Sequence, residues 1–307
     1  MKYFFFLAFS LLTIPVLAQP DTSVVGKKII TLSEVVVGRN LDVPFFIQRI
    51  RDDSSFYKAF RNLRIISFSS INDIRMMGKK ENLKASLYSK TIQKRWQGCR
   101  TMDVLFEETF GDMYDAQHQF NYYTANMYAS LFFTTGKVCG EDNIVGNRDF
   151  SIRNKKGIEK HKEQLKMLFF NPGAKIEGIP FMKRKTAIYS DRMAPLYNME
   201  IDWELYNNKP CYVFKQTVKP GHESDVVVDE MFTWFNENTF EIEGRNYVLS
   251  YDAGVYDFKV SMEVRMTSFD NLTVPELIRY NGNWKVIGKK RERGVFTATL
   301  FDFKREE

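Results

Sequence analysis

The stretch "YDFKVSMEVRMTSF", Tyr256–Phe269, alternates along its length: Tyr256, Phe258, Val260, Met262, Val264 and Met266 share one parity, and Asp257, Lys259, Ser261, Glu263, Arg265 and Thr267 the other. A strand sends successive side chains to opposite faces, so this is a long strand with one apolar and one polar face. Fully burying one large apolar side chain contributes about 1.5–3 kcal/mol. Six together are worth on the order of 10–18 kcal/mol as an upper figure, because unfolded chains already hide some area. A protein of ordinary stability does not leave such a face in water. Either helices cover it or a lipophilic ligand does.

The neighbouring runs extend the same pattern. After it come "TVPELIRYNGNWKVIG" and "GVFTATLFDF"; before it stand "MEIDWELYNN", "KPCYVFKQTV", "DVVVDEMFTWFN" and "FEIEGRNYVLSY". The pieces "YNN", "NEN" and "RYNGNW" carry hairpin-turn chemistry, with Asn281-Gly282 the clearest pair. Between residues 64 and 140 four more runs read as strands: "RIISFSSINDIRMM", "LKASLYSKTIQKRW", "RTMDVLFEETFG" and "FNYYTANMYASLFFTTGKVC". Two regions read as helix. In residues 43–63, Pro44 suits a first turn, Phe46, Ile47 and Ile50 share a face, and Phe56, Phe60 and Leu63 resume the stripe behind a Ser cap. In residues 158–170, Leu165, Met167, Leu168 and Phe169 form an apolar side that ends at Asn171-Pro172-Gly173. The expected fold is α+β: a large curved antiparallel sheet, a half-barrel, packed on a few helices.

The first residues, MKYFFFLAFSLLTIPVLAQP, have the form of a secretory signal peptide: Lys2, an apolar core from Tyr3 to Leu12, and Val16 and Ala18 before Gln19. The domain reading is a signal peptide over 1–18, an extended segment over 19–40 and one α+β domain over 41–307. The expected location is exported: periplasmic or associated with the outer membrane. No run after the leader approaches the roughly 18 apolar residues of a transmembrane helix. The net charge of +6 is scattered over "GKKEN" at 78, "RNKKGIEKHK" at 153, "MKRK" at 182 and "GKKRERG" at 288. These are turn tips, read as solvated loops or as contacts with an anionic membrane surface or acidic glycan. They lack the interleaved aromatics of a nucleic-acid surface.

Three cysteines face an oxidising compartment. Cys99 and Cys139 stand near turns and are the candidate disulfide; Cys211 falls in a strand as a buried free thiol. The alternative, three reduced core thiols, stays open. Catalytic patterns are missing. His118, His161 and His222 belong to no ligand motif, and there is no HExxH, CxxC, GxSxG or Gly-rich phosphate loop. Asp229 and Glu230 point to opposite faces of a strand. The reading is of a non-enzyme with no metal and no cofactor.

Residues Asp229–Tyr251, "DEMFTWFNENTFEIEGRNYVLSY", contain a W-[IVF]-[DN]-x-x-[ST] hairpin at Trp234, Asn236 and Thr239. This resembles the lipoprotein-carrier superfamily, the LolA-like half-barrels. The resemblance implies an incomplete barrel wrapped around helices, with an apolar cavity for lipoprotein acyl chains or another lipophilic ligand. The candidate cavity wall is then Phe232, Trp234, Tyr256, Phe258, Val260, Met262, Val264 and Met266. Members are usually shorter than this chain, and 41–160 holds extra material. The whole chain also looks similar to exported Bacteroidota proteins related to carboxypeptidase-regulatory-like and TonB-associated proteins. There the likeness lies in "ITLSEVVVGRN", Ile30–Asn40, a β-prone run without a nearby partner in sequence. It resembles the segment that pairs with TonB and marks Leu32, Glu34, Val35, Val36 and Val37 as a candidate partner segment for an outer-membrane protein. Three functions follow: lipid carrier, envelope interaction protein, or hydrolase. A carrier requires a continuous apolar cavity of several hundred Å³ between sheet and helices.

Overall fold

A computed structural model describes residues 22–25, 28–31, 43–51, 53–145, 168–174, 182, 185–252, 256–286 and 290–306. The signal-peptide reading of 1–18, the partner segment Leu32–Val37 and most of the helix expected over 158–170 lie outside the described residues. Two short strands, β1 (Thr22–Val25) and β2 (Lys28–Thr31), pair antiparallel with each other, so the run beginning at Ile30 starts beside a local partner.

Eleven strands form one antiparallel sheet: β3 (Ser67–Met77), β4 (Leu83–Trp96), β5 (Cys99–Gly111), β6 (Val138–Cys139), β7 (Tyr197–Tyr206), β8 (Lys209–Val218), β9 (Val228–Asn236), β10 (Ile242–Asp252), β11 (Tyr256–Phe269), β12 (Leu272–Val286) and β13 (Glu292–Lys304). Their order is β6-β5-β4-β3-β13-β12-β11-β10-β9-β8-β7. Two local meanders are stitched together by the β13–β3 ladder, in which Phe296 faces Ile74 and Ala298 faces Asn72. The edges β6 and β7 do not pair, so the sheet is an open half-barrel.

Turn chemistry sets several registers. Asn207 and Asn208 (φ 49° and 61°) close β7–β8, and Asp270 and Asn271 (φ 48° and 60°) close β11–β12. Both are two-residue turns with left-handed backbone at each position, matching the twist of the strands they join. The expected turn at Asn281-Gly282 is not there: β12 runs straight through it. Gly282 instead lies under the Tyr280 ring two residues earlier on the same face, where any Cβ would collide with that ring. The glycine makes room for an aromatic and is no hairpin signal.

Among the described residues, three helices of eight residues or more cover one face of the sheet. Phe46 of α1 (Val43–Arg51) enters a cage of Tyr212, Phe214, Phe235 and Phe240. From α2 (Ser55–Asn62), Phe56 meets Phe60 and Tyr247. Its first turn is capped by Asp53, whose Oδ1 accepts from the Ser55 amide at 2.9 Å, and not by a Ser side chain. The third helix, α3 (Tyr123–Phe132), replaces the strand expected over residues 120–139. Tyr128 and Phe132 both stack on Phe296 of β13, at 5.2 and 5.0 Å. The Glu292 carboxylate, reaching across from β13, accepts from the Tyr123 and Thr124 amides at 3.1 and 2.8 Å and from the Thr124 hydroxyl at 2.6 Å. A distant acid thus supplies the helix cap that the local sequence lacks.

Candidate functional site

The apolar side of β11 meets protein. Phe258, Val260, Met262, Val264 and Met266 are all buried, and Val260 and Val264 are wholly so. Met262 stands opposite Tyr247 in the β10 ladder and Tyr280 in the β12 ladder. Above these strands Phe169 packs on Tyr280 and Trp284 at 5.7 and 6.1 Å, and its carbonyl accepts from the Tyr247 hydroxyl at 2.5 Å. The strand of Tyr256 is described, but its side chain lies outside the described residues.

Two candidate wall residues point the other way. Met231 and Thr233 of β9 stand opposite Tyr247 and Arg245 on the helix-covered face, so Phe232 and Trp234 belong to the outer face. Trp234 packs there with Cys211 and Val213, stacks on Tyr206 at 4.6 Å and donates from Nε1 to Glu204 at 2.5 Å. In the hairpin that carried the resemblance, Phe232 and Trp234 therefore face outward while Phe235 and Phe240 pack on Phe46 of α1. Burial pushes the Cys211 thiol up to about 11. Cys99 and Cys139 are joined by a disulfide.

The inner face is open elsewhere. A cavity of about 290 Å³ lies between β3, β4 and β13 below, and α2, the turn after it and α3 above. Phe60, Phe68, Leu131, Phe132, Phe170 and Leu300 provide its apolar walls. Phe170, just after the core residue Phe169, fills the gap between the helices, 4.5 Å from Phe60 and 6.0 Å from Phe132. The floor is polar, which corrects the expectation of an apolar cavity lined by β11. Ser70 and Thr91 hydroxyls bond at 2.7 Å, and the Asn72 amide donates to Ser70 at 3.2 Å. Gln93 is almost fully buried: its Nε2 donates to the Leu63 and Ile66 carbonyls at 2.7 and 2.9 Å, fixing the end of α2 to the sheet.

At the mouth stand three arginines and two acids. Arg100 of β5 holds Glu141 through Nε at 2.5 Å, and Arg61 of α2 holds Asp142 through Nη2 at 2.8 Å. Arg64 lies 3.6 Å from Glu141. The disulfide brings these partners together, since Cys139 pairs with Cys99 beside Arg100 and delivers the next residues to the mouth. None of the cavity's polar residues was singled out from the sequence. Their available signal is the run of small polar residues at inward parity, Ser70, Asn72, Ser89, Thr91 and Gln93, where a plain core would carry aliphatics.

Of the expected wall residues that are described, Phe258 borders a second recess of about 280 Å³, rimmed by Glu223, Asp252, Asp257 and Lys259. Among the described residues no group of three His, Cys, Asp or Glu side chains converges as a metal site, and no helix is long and apolar enough to cross a membrane.

No family model and no curated protein matches the chain. Among solved structures it is similar to a DUF1329 family protein from Desulfovibrio piger, at 11% identity over 81% of this chain and 91% of that one, with a TM-score of 0.25. It is also similar to a putative outer membrane lipoprotein-sorting protein domain from Vibrio parahaemolyticus, at 9% identity over 85% of this chain and 91% of that one, with a TM-score of 0.27. Likeness at this level carries no weight for function. The site is read from its own residues.

Proposed function

We propose that the protein binds and carries a single-chain amphiphile in the cell envelope, without catalysis, its tail lying between the sheet and helices α2 and α3. The observation that supports this is the cavity itself. Its volume of about 290 Å³ falls at the lower edge of the range for small-molecule sites. Its walls are aromatic and aliphatic, while its floor and mouth carry hydrogen-bonding and charged groups. That division suits a molecule with one chain and one polar head. A triad or a pair of acids facing one reacting atom is not among its lining residues. The Cys99–Cys139 disulfide, a bond of oxidising compartments, supports the envelope setting.

Native mass spectrometry of protein purified from its own envelope tests the reading. A co-purifying lipid is expected, and Leu131→Trp, which fills the space above the floor, removes it. A bare mass for the parent protein overturns the carrier.

A second reading, an envelope interaction protein, draws on β5. Beyond Arg100 no described strand pairs with its outer side, and Val104, Leu105, Phe106 and Phe110 are all exposed. Such an edge accepts an added strand. Asp103, Glu107 and Glu108 on the same strand select a basic one. The parent protein is expected to capture a Lys-containing strand peptide, and Phe106→Lys with Phe110→Lys to abolish that capture while leaving lipid binding intact; no capture by the parent, or unchanged capture by the variant, rejects this reading.

A further inference from the structure

An acid of the protein's own already sits at the mouth of the cavity. Glu141 accepts from Arg100 with both oxygens, Oε2 from Nε at 2.5 Å and Oε1 from Nη2 at 3.3 Å. This is the forked geometry in which a guanidinium holds a planar carboxylate. Arg64 adds a second cation 3.6 Å from Oε1. Burial pushes the Glu141 carboxyl up, but the Arg100 hydrogen bond and the charges of Arg100, Arg64 and Arg61 outweigh it and hold it below its ordinary value.

Arg100 does not depend on Glu141 for its position. Its Nη1 donates to Gln93 Oε1 at 3.2 Å and to the Thr134 hydroxyl. The same hydroxyl donates to Gln93 Oε1 at 3.0 Å, and Gln93 is itself anchored to two backbone carbonyls. The guanidinium is thus built into the sheet, between the polar floor and the aromatic wall. Glu141 is different. It follows a two-residue strand and the exposed Cys139, and Ile144, three residues on, is exposed at 67%. The cation is held rigidly, and its anion comes from a surface segment tied down at Cys139.

We propose that Arg100 and Arg64 form the head-group site of the cavity, and that Glu141 occupies the place of the carboxylate of a long-chain fatty acid, which displaces it on binding. This rests on the reading that the cavity holds an acyl chain and adds which head that chain bears. A carboxylate is favoured because a carboxylate satisfies the fork now. Burying an acid there without its partner arginine would be costly, and a neutral head would leave the guanidiniums facing their own acid.

The test is a displacement titration on delipidated, disulfide-intact protein, with a fluorescent fatty acid as the reporter and oleate, monoolein and oleoyl lysophosphatidate as competitors. Glu141→Gln removes the internal competitor and raises oleate affinity roughly tenfold, the scale of one charge-assisted bond. Arg100→Gln lowers it by roughly tenfold or more, and Arg100→Lys, which keeps the charge and loses the fork, falls between. Monoolein binds more weakly than oleate and does not respond to Glu141→Gln. The gain on Glu141→Gln separates a head-group site from a merely structural ion pair, whose loss would weaken every ligand or none. Oleate affinity unchanged or reduced in Glu141→Gln, or monoolein binding as tightly as oleate, overturns the head-group assignment and leaves the carrier standing. A larger gain for lysophosphatidate than for oleate overturns the carboxylate in favour of a phosphate. Failure of all three to bind overturns the assignment and the carrier together.

Discussion

Glu292 shows how a single side chain sets the position of an element. Helix α3 opens with Tyr122, Tyr123 and Thr124, none of which caps it from its own side chain, and the carboxylate of β13 takes that role. Glu292→Gln keeps the shape and removes the charge, and is expected to lower stability by about 1 kcal/mol in urea unfolding, with Glu292→Ala nearer 2. Gly282→Ala is expected to cost about 1–3 kcal/mol, because the added methyl meets the Tyr280 ring that Trp284 Nε1 also holds. Glu141 sets a pH dependence. Its folded value lies below its ordinary 4.5, so its contribution to holding the 139–145 segment is complete above that value. The contribution is lost as pH falls through the lower, folded value. The protection factor of residues 140–145, exchange corrected for its intrinsic pH dependence, is therefore expected to fall below pH 4.5 in the parent protein and to fall less over that window in Glu141→Gln.

At the scale of elements, the disulfide carries more than its loop. Cys99 and Cys139 are separated by 40 residues that include β5 and α3. On the chain-entropy model, removing the bond costs about 4 kcal/mol, with the mechanism of that cost model-dependent. Cys99→Ser with Cys139→Ser is expected to lower the urea midpoint and also to free Glu141 and Asp142 from Arg100 and Arg61. Exchange protection is then lost at 138–145 before it is lost in β10–β12. Uniform loss across the molecule would reject a local role for the bond. Cys211 is expected to resist alkylation at pH 8 until unfolding, since burial holds its thiol near 11.

At the scale of the whole molecule, helices and sheet share the inner face unequally. Rings from α1, α2 and Phe169 fill the space over β8 to β12, whereas over β3, β4 and β13 the sheet carries Ser70, Asn72 and Gln93 and a cavity remains. One end of the half-barrel is thus a packed core and the other holds the cavity. Filling the cavity with Leu131→Trp is expected to preserve or raise the unfolding temperature while lipid binding is lost. Asp substituted at Met262 or Val264 is expected to unfold the protein, because those positions are core.

Local chemistry was enough for much of this. The alternation of Tyr256–Phe269, the paired residues at 207–208 and the apolar stripes of Phe46–Ile50 and Phe56–Leu63 determined strands, turns and two helices, because period and turn propensity act over a few residues. They determined the antiparallel α+β class for the same reason. The tertiary structure alone decided the β13–β3 ladder, the helical state of 123–132 through an acid 169 residues away, and the outward facing of Trp234. It also decided that Gly282 yields to a ring instead of turning the chain. The cavity belongs with these. Its walls come from α2, α3 and β13 and its charges from α2, the turn after it, β5 and Glu141, and a cavity gathered from such distant segments leaves no periodic trace in any one of them.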